Sequence, residues 1–363
     1  MKKLHAENIA LGYGKKIILD NLSFELHAGE ILTLIGANGA GKSTILKTIA
    51  KQLRPIAGAV YLNQKNINIF REQEFAKQLS IFLTQRIEPE LMTCEDVVAS
   101  GRYPYTGRLG ILSEQDYLKI DEALKLVHAE DFRYEDFNQI SDGQRQRIML
   151  ARAICQEPEV LLLDEPTSFL DIKHKLELLS LIQKLTREKK LAVMLSLHEL
   201  DLAQKVSDRI LCIKSDNYQI GTPEEIFTDE YIKNLYKITS GSYSVITGSP
   251  ELSKPKGKPE IFVIGGAGTG IPVYHKLQRK NMPFVAGILH KHDLDYPVAS
   301  TLAMQVITEQ DFEPIQDQTL ERALALLKTC ENVICSVKKF GSINEKNKIL
   351  LQTAETTGKL TEL

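Results

Sequence analysis

The chain has 363 residues, enough for two domains of ordinary size and for a substantial core. Its 45 basic and 47 acidic residues leave a formal net charge of -2, with 43% hydrophobic and 25% charged residues. These proportions exclude a disordered chain, a disulfide-stapled miniature and a strongly basic surface, so no nucleic-acid partner is expected.

From the N-terminus, two lysines are followed by His5, Glu7 and Asn8, where a secretory signal needs unbroken apolar residues. The strongest apolar runs are far shorter than the roughly 20 residues that cross a bilayer, so membrane association is expected through a partner only. Cys94, Cys155, Cys212, Cys330 and Cys335 are odd in number and scattered, which fits reduced thiols in a cytosolic protein.

Short apolar strands alternate with longer helical patterns. Strands are predicted at 30–35, 160–163, 192–197 and 209–214, and helices at 42–53, 113–126, 143–155 and 173–188. This rhythm predicts an α/β fold, a parallel sheet with helices on its faces.

Between the first of these strands and helices runs Gly36-Ala37-Asn38-Gly39-Ala40-Gly41-Lys42-Ser43, followed by Thr44, which fits the phosphate-loop pattern G-x-x-x-x-G-K-[ST] in its proper strand–loop–helix context. Glycines let backbone N–H groups wrap the phosphates of ATP, Lys42 neutralises the β and γ oxygens, and Ser43 offers a hydroxyl to Mg²⁺. The strand at 160–163 ends in Asp164 and Glu165. In a parallel sheet that end lies beside the phosphate loop, so Asp164 suits Mg²⁺ and Glu165 suits activation of the attacking water.

The segment Ile140-Ser141-Asp142-Gly143-Gln144 precedes the helix at 143–155. With the motifs on either side, it resembles the signature of the ATP-binding-cassette (ABC) ATPases, Leu-Ser-Gly-Gly-Gln, with Ser141, Gly143 and Gln144 retained. Asp142 stands where the first glycine usually is, so its carboxylate is expected to point away from the nucleotide. The resemblance covers about 1–250 and implies a P-loop cassette, a RecA-like core with a helical subdomain at about 86–158.

Carried over position by position, the resemblance assigns Tyr13 to adenine stacking and Gln85 to Mg²⁺ and the attacking water. It assigns Asp171 to a loop crossing to the partner subunit and His198 to the γ-phosphate. Ser141, Gly143 and Gln144 would reach the ATP of that partner, which implies a homodimer, or paired cassettes, with two composite sites. The stretch Asp96–Tyr105 resembles the importer subgroup for ferric siderophores, haem and vitamin B12. Two membrane permease subunits, an extracytoplasmic substrate-binding protein and a cytoplasmic position on the inner membrane face are then implied. A soluble regulatory ATPase with a ligand-sensing tail is the alternative.

Residues 253–259, rich in lysine, proline and glycine, read as a linker between a cassette at 1–252 and a second domain at 260–363. The second domain opens with a strand and the run Gly265, Gly266, Ala267, Gly268, Thr269, Gly270, much like a Rossmann fold, although Ile271 stands where G-x-G-x-x-G needs its last glycine. A further strand at 284–289 leads to His290, His292 and Asp293, a candidate ribose-binding acid or metal cluster. A bound nucleotide or other small ligand, a structural or dimer-stabilising role, and catalysis with a nicotinamide or flavin all remain open here.

Overall fold

The computed structural model describes residues 1–14, 16–83, 89–107, 109–214 and 217–362. They form two compact units, Met1–Thr228 and Asp229–Leu363.

In chain order the first unit runs β1 (Lys2–Tyr13), β2 (Lys16–His27), β3 (Ile31–Gly36), α1 (Lys42–Ile49), β4 (Ala57–Leu62), β5 (Lys65–Asn66), α2 (Glu72–Gln78) and β6 (Leu79–Phe82). It continues with α3 (Cys94–Ala99), α4 (Glu114–Leu126), α5 (Asp142–Cys155), β7 (Val160–Leu163), α6 (Ile172–Glu188), β8 (Ala192–Ser196), α7 (Leu200–Val206), β9 (Arg209–Lys214), β10 (Asn217–Gly221) and α8 (Pro223–Ile226).

Six strands make the central sheet in the order β10-β9-β3-β8-β7-β6, parallel except for the β10–β9 pair. A separate antiparallel sheet has the order β2-β1-β4-β5. Leu4, Phe24 and Val60 from the antiparallel sheet, Leu32, Leu34, Leu162 and Met194 from the central sheet, and Ile45 and Ile49 from α1 share one apolar core. Every residue of β3, β7 and β8 is buried, as expected of parallel strands covered on both faces. The parallel pairing of β3 with β8 and of β8 with β7 brings the carboxyl ends of these three strands to one edge of the sheet.

The expected helix at 42–53 stops at Ile49, because Lys51 turns left-handed with φ 60° and the amides of Gln52 and Leu53 fold back onto Lys47 O. Between β6 and β7, helices α3, α4 and α5 pack on one another. Their anchor is Arg102, 5% exposed, whose guanidinium donates to Asp116 Oδ1 (2.8 Å), Glu157 Oε2 (2.9 Å) and Cys155 O (2.7 Å).

The second unit comprises α9 (Asp229–Leu235), β11 (Ser242–Ser244), β12 (Ser249–Glu251), β13 (Ile261–Ile264), α10 (Ile271–Arg279), β14 (Phe284–His290), α11 (Tyr296–Leu302), β15 (Gln305–Glu309), α12 (Asp317–Thr329), β16 (Asn332–Cys335) and α13 (Asn347–Thr356). Its sheet is wholly parallel, in the order β15-β14-β13-β16.

The expected boundary at 253–259 falls inside this unit. The β11–β12 hairpin belongs to it because buried Glu251 accepts from His275 Nε2 of α10 at 3.0 Å, and Ser242 Oγ meets Thr301 Oγ1 of α11 at 3.3 Å. The stretch 253–259 does lack helix and strand, but Pro255 is buried, so an apolar anchor exists where none was expected.

Candidate functional site

The phosphate loop leaves β3 at Gly36, whose φ of 150° and 2.4 Å approach of a would-be Cβ to Ile213 O admit no side chain. The loop enters α1 through Gly41, and no side chain caps the helix, so the first-turn N–H groups are left for an anion. Lys42, 6% exposed, donates from Nζ to Gly36 O at 2.8 Å and to Ala37 O at 3.4 Å. Burial lowers its pKa from the usual lysine value, against the raising influence of Glu165 and Asp164.

A cleft of about 460 Å³ opens here, lined by Tyr13, Ile18, Asn38, Gly39, Gly41, Lys42, Ser43, Thr44, Glu165 and His198. Gly36 and Ala37 border it through the carbonyls that hold Lys42, and Ala40 packs under the loop. Tyr13, at the end of β1, is 52% exposed, so its ring is open to a flat ligand.

Ser43 Oγ donates to Asp164 Oδ1 at 3.1 Å, which brings a hydroxyl and a carboxylate from α1 and the end of β7 together. These two hard oxygen donors beside the loop fit Mg²⁺. Asp164 Oδ1 also accepts from Ser196 Oγ at 2.8 Å, and the same Ser196 Oγ accepts from Glu165 N at 2.9 Å. Glu165 sits at φ 49°, a strained conformation for a residue with a side chain, and its Oε1 lies 2.5 Å from His198 Nε2.

Ser196 and Ile18 were not singled out in the sequence. Ser196 had a signal, a hydroxyl ending an otherwise apolar strand two residues before His198. Ile18, on exposed-to-buried β2, had none.

Ser141, Gly143 and Gln144 do not line this cleft. They form the N-terminus of α5, where Ser141 N donates to Gln144 Oε1 (2.9 Å) and Gln144 N donates to Ser141 Oγ (3.3 Å), a reciprocal capping box. Asp142 Oδ1 accepts from Arg145 Nη1 at 3.2 Å along its own helix. Asp171 caps α6, accepting from His174 N at 2.9 Å, and also stands apart from the cleft. Gln85 lies outside the described residues.

In the second unit the expected ligand loop is buried at Gly265, Gly266 and Gly270 and exposed at Ala267 and Thr269. Asp293 accepts from Ala267 N rather than facing a ribose, and the loop glycines Gly265, Gly266, Gly268 and Gly270 close on the chain itself. The expected metal cluster is dispersed: His290 Nε2 meets Glu313 O at 2.9 Å, and His292 N donates to Asp311 Oδ1 at 2.8 Å. Among the described residues no group of three His, Cys, Asp or Glu could hold a metal.

Residues 19–168 match the ABC transporter family, and residues 284–361 match the MJ0874 family. An uncharacterized ABC transporter ATP-binding protein of Methanocaldococcus jannaschii is 45% identical over 290 residues, covering 79% of this chain and 99% of that protein. The iron(3+)-hydroxamate import ATP-binding protein FhuC of Bacillus subtilis is 35% identical over 256 residues, covering 70% of this chain and 94% of its own. Among solved structures, a transporter assigned to the metal-chelate ABC type, in an inward-facing conformation, superposes with a TM-score of 0.59 at 28% identity, covering 65% of this chain and 89% of that one. A phosphate loop against paired carboxylates, a capped signature helix set apart from them, and these likenesses agree: the chain belongs to the ATP-binding proteins of ABC transporters and is an ATPase.

Proposed function

We propose that the protein powers an ABC importer for a metal chelate, most nearly a ferric siderophore, and that two copies close around two ATP molecules. The observation that carries the dimer is the placement of Ser141 and Gly143 outside the cleft that holds Lys42 and Glu165. A single chain therefore carries the two halves of a site apart from each other, and a second copy related by a two-fold axis can supply the missing half to each.

In this reading Lys42 and the uncapped N-terminus of α1 bind the phosphates, Ser43 and Asp164 hold Mg²⁺, and Tyr13 stacks on the base. Magnesium supplies charge neutralisation at the transferred phosphoryl group. Glu165 takes the proton of the attacking water, and His198, touching Glu165, holds that carboxylate in place and reaches the γ-phosphate. Gln85 would complete the water's surroundings.

The import direction and chelate class rest on the relatives' own substrates, FhuC being an iron(3+)-hydroxamate import protein, and on the segment Asp96–Tyr105. Among the described residues no helix is long and apolar enough to cross a membrane; as for the ATP-binding proteins it resembles, the partners would be membrane permease subunits, at which the protein would work from the inner face with an extracytoplasmic binding protein delivering substrate. Reconstitution with a cognate permease tests this. ATP-dependent uptake of a ferric hydroxamate is expected, and stimulation of ATPase by a permease of another substrate class would overturn the chelate assignment.

A further inference from the structure

The strand order β15-β14-β13-β16 is that of a dinucleotide-binding half, with its topological switch point between β13 and β16. In that architecture a pyrophosphate lies against the loop after β13 and the first turn of α10. Four of those donors, the amides of Gly266, Ala267, Gly270 and Ile271, are already taken. Asp295 Oδ2 accepts from Gly266 N at 2.5 Å and Gly270 N at 2.9 Å, and its Oδ1 accepts from Ile271 N at 3.2 Å. Asp293 accepts from Ala267 N with both oxygens at 3.0 Å, and from Asp295 N at 2.9 Å.

The glycines have an internal reason as well. A Cβ on Gly265 would lie 2.4 Å from Tyr274 Oη and 2.9 Å from Asp295 Oδ2, and one on Gly270 would lie 2.5 Å and 2.7 Å from the same atoms. Close approach of the chain to itself, not to a cofactor, requires glycine at these two positions. On the β16 side, Thr269 Oγ1 donates to Gly266 O at 2.7 Å and meets Ser336 Oγ at 3.0 Å.

We infer that Asp293 and Asp295 are the resident anion of this loop, so that the second unit has the architecture of a dinucleotide-binding domain without its pyrophosphate seat. Asp295 is fully buried, and a phosphate could enter only by stranding that carboxylate away from its three amides, beside a second negative charge. A nicotinamide or flavin dinucleotide does not fit these residues, which leaves the unit a structural role or a ligand recognised without phosphate.

The test uses the full chain with NADH as probe and saturating ATP–Mg²⁺ in a Glu165→Gln background, so that the cassette site is filled. This step rests on the proposed cassette function, and ATP binding measured in parallel by filter retention separates failure of that reading from failure of this one. No saturable NADH fluorescence change is expected below about 1 mM. The double variant Asp293→Ala/Asp295→Ala, which frees the amides of Gly266, Ala267, Gly270 and Ile271, should bind pyrophosphate at least about tenfold more tightly than its parent, with ATPase activity in the wild-type background unchanged. Saturable NADH binding to the parent chain, or a double variant that folds by thermal melting but gains nothing, would overturn the internal anion.

Discussion

His198 Nε2 lies 2.5 Å from Glu165 Oε1, joining the residue two past the end of β7 to the residue two past the end of β8. Because β7 and β8 pair directly in the sheet, the proposed base is held from beyond the end of the neighbouring strand as well as by its own loop, where Ser168 Oγ donates to Glu165 Oε2 at 3.4 Å. Replacing Glu165 with Gln keeps the shape and removes the charge, so ATP binding should persist while kcat falls by about 10²–10⁴. Single-turnover hydrolysis together with nucleotide retention would show it, and a fully active variant would move the base elsewhere.

Lys42→Ala should weaken ATP binding by on the order of 100-fold, the size of a charge-assisted bond lost from a desolvated site. Isothermal titration gives the number. Loss of the bonds that the Gly36 and Ala37 carbonyls now accept from Nζ should leave the fold intact, since the first unit's apolar core lies elsewhere.

Ser196→Ala removes the one hydroxyl that both donates to Asp164 Oδ1 and accepts from Glu165 N. The Glu165 amide is then left without this acceptor, at about 1–3 kcal/mol, and the two acids lose their shared reference point. We expect kcat to fall about tenfold with the KM for ATP little changed. Equal losses in binding and turnover would instead make Ser196 a purely structural residue.

Arg102→Met strips Asp116 of a buried partner, and removing one member of such a pair costs about 3–5 kcal/mol. Burial raises the Asp116 pKa, but the bonds from Ser113 and Arg102 outweigh it and the carboxyl is held below the usual aspartate value. Its contribution is therefore fully present above the unfolded value near ~3.9 and is lost as pH falls through the lower folded value. Unfolding of the wild type by acid should show this loss below about pH 4, and Asp116→Asn should flatten it.

Cutting the chain after Thr228 should leave an active ATPase, because every described nucleotide-site residue precedes that point. Cutting after Ser253 should do worse in solubility. It keeps the hairpin but strips buried Glu251 of His275, and leaves Ile232 and Leu235 of α9 without the rest of their unit. Melting curves and ATPase assays of the two fragments decide, and a soluble, equally stable longer fragment would restore the boundary at 253–259.

Much of the nucleotide site was legible because its demands are local. Gly36, Gly41 and Lys42 follow one strand and open one helix, and the spacing alone places backbone amides and an ammonium around a phosphate. Ser196 was missed because its role exists only where three strands end side by side, which no window of sequence contains. The second unit misled for the opposite reason. Its glycine run has the local form of a cofactor loop, but Asp295 lies 29 residues beyond Gly266, and only the tertiary contact reveals that the amides are occupied. The boundary was misplaced because composition at 253–259 reports flexibility of chain, whereas the salt link of Glu251 with His275 decides where the hairpin belongs.

The capping box at Ser141 bears on how two such chains could come together quickly. Accepting from Gln144 N engages the lone pairs of the Ser141 hydroxyl and leaves its hydrogen to be given. A phosphate oxygen arriving on a second copy would meet a hydroxyl whose hydrogen can turn toward it, with the helix cap intact. Association would then need no rehearsal at this end: no bond within the chain has to open before one between chains can form, and separation after hydrolysis leaves the helix as it was found.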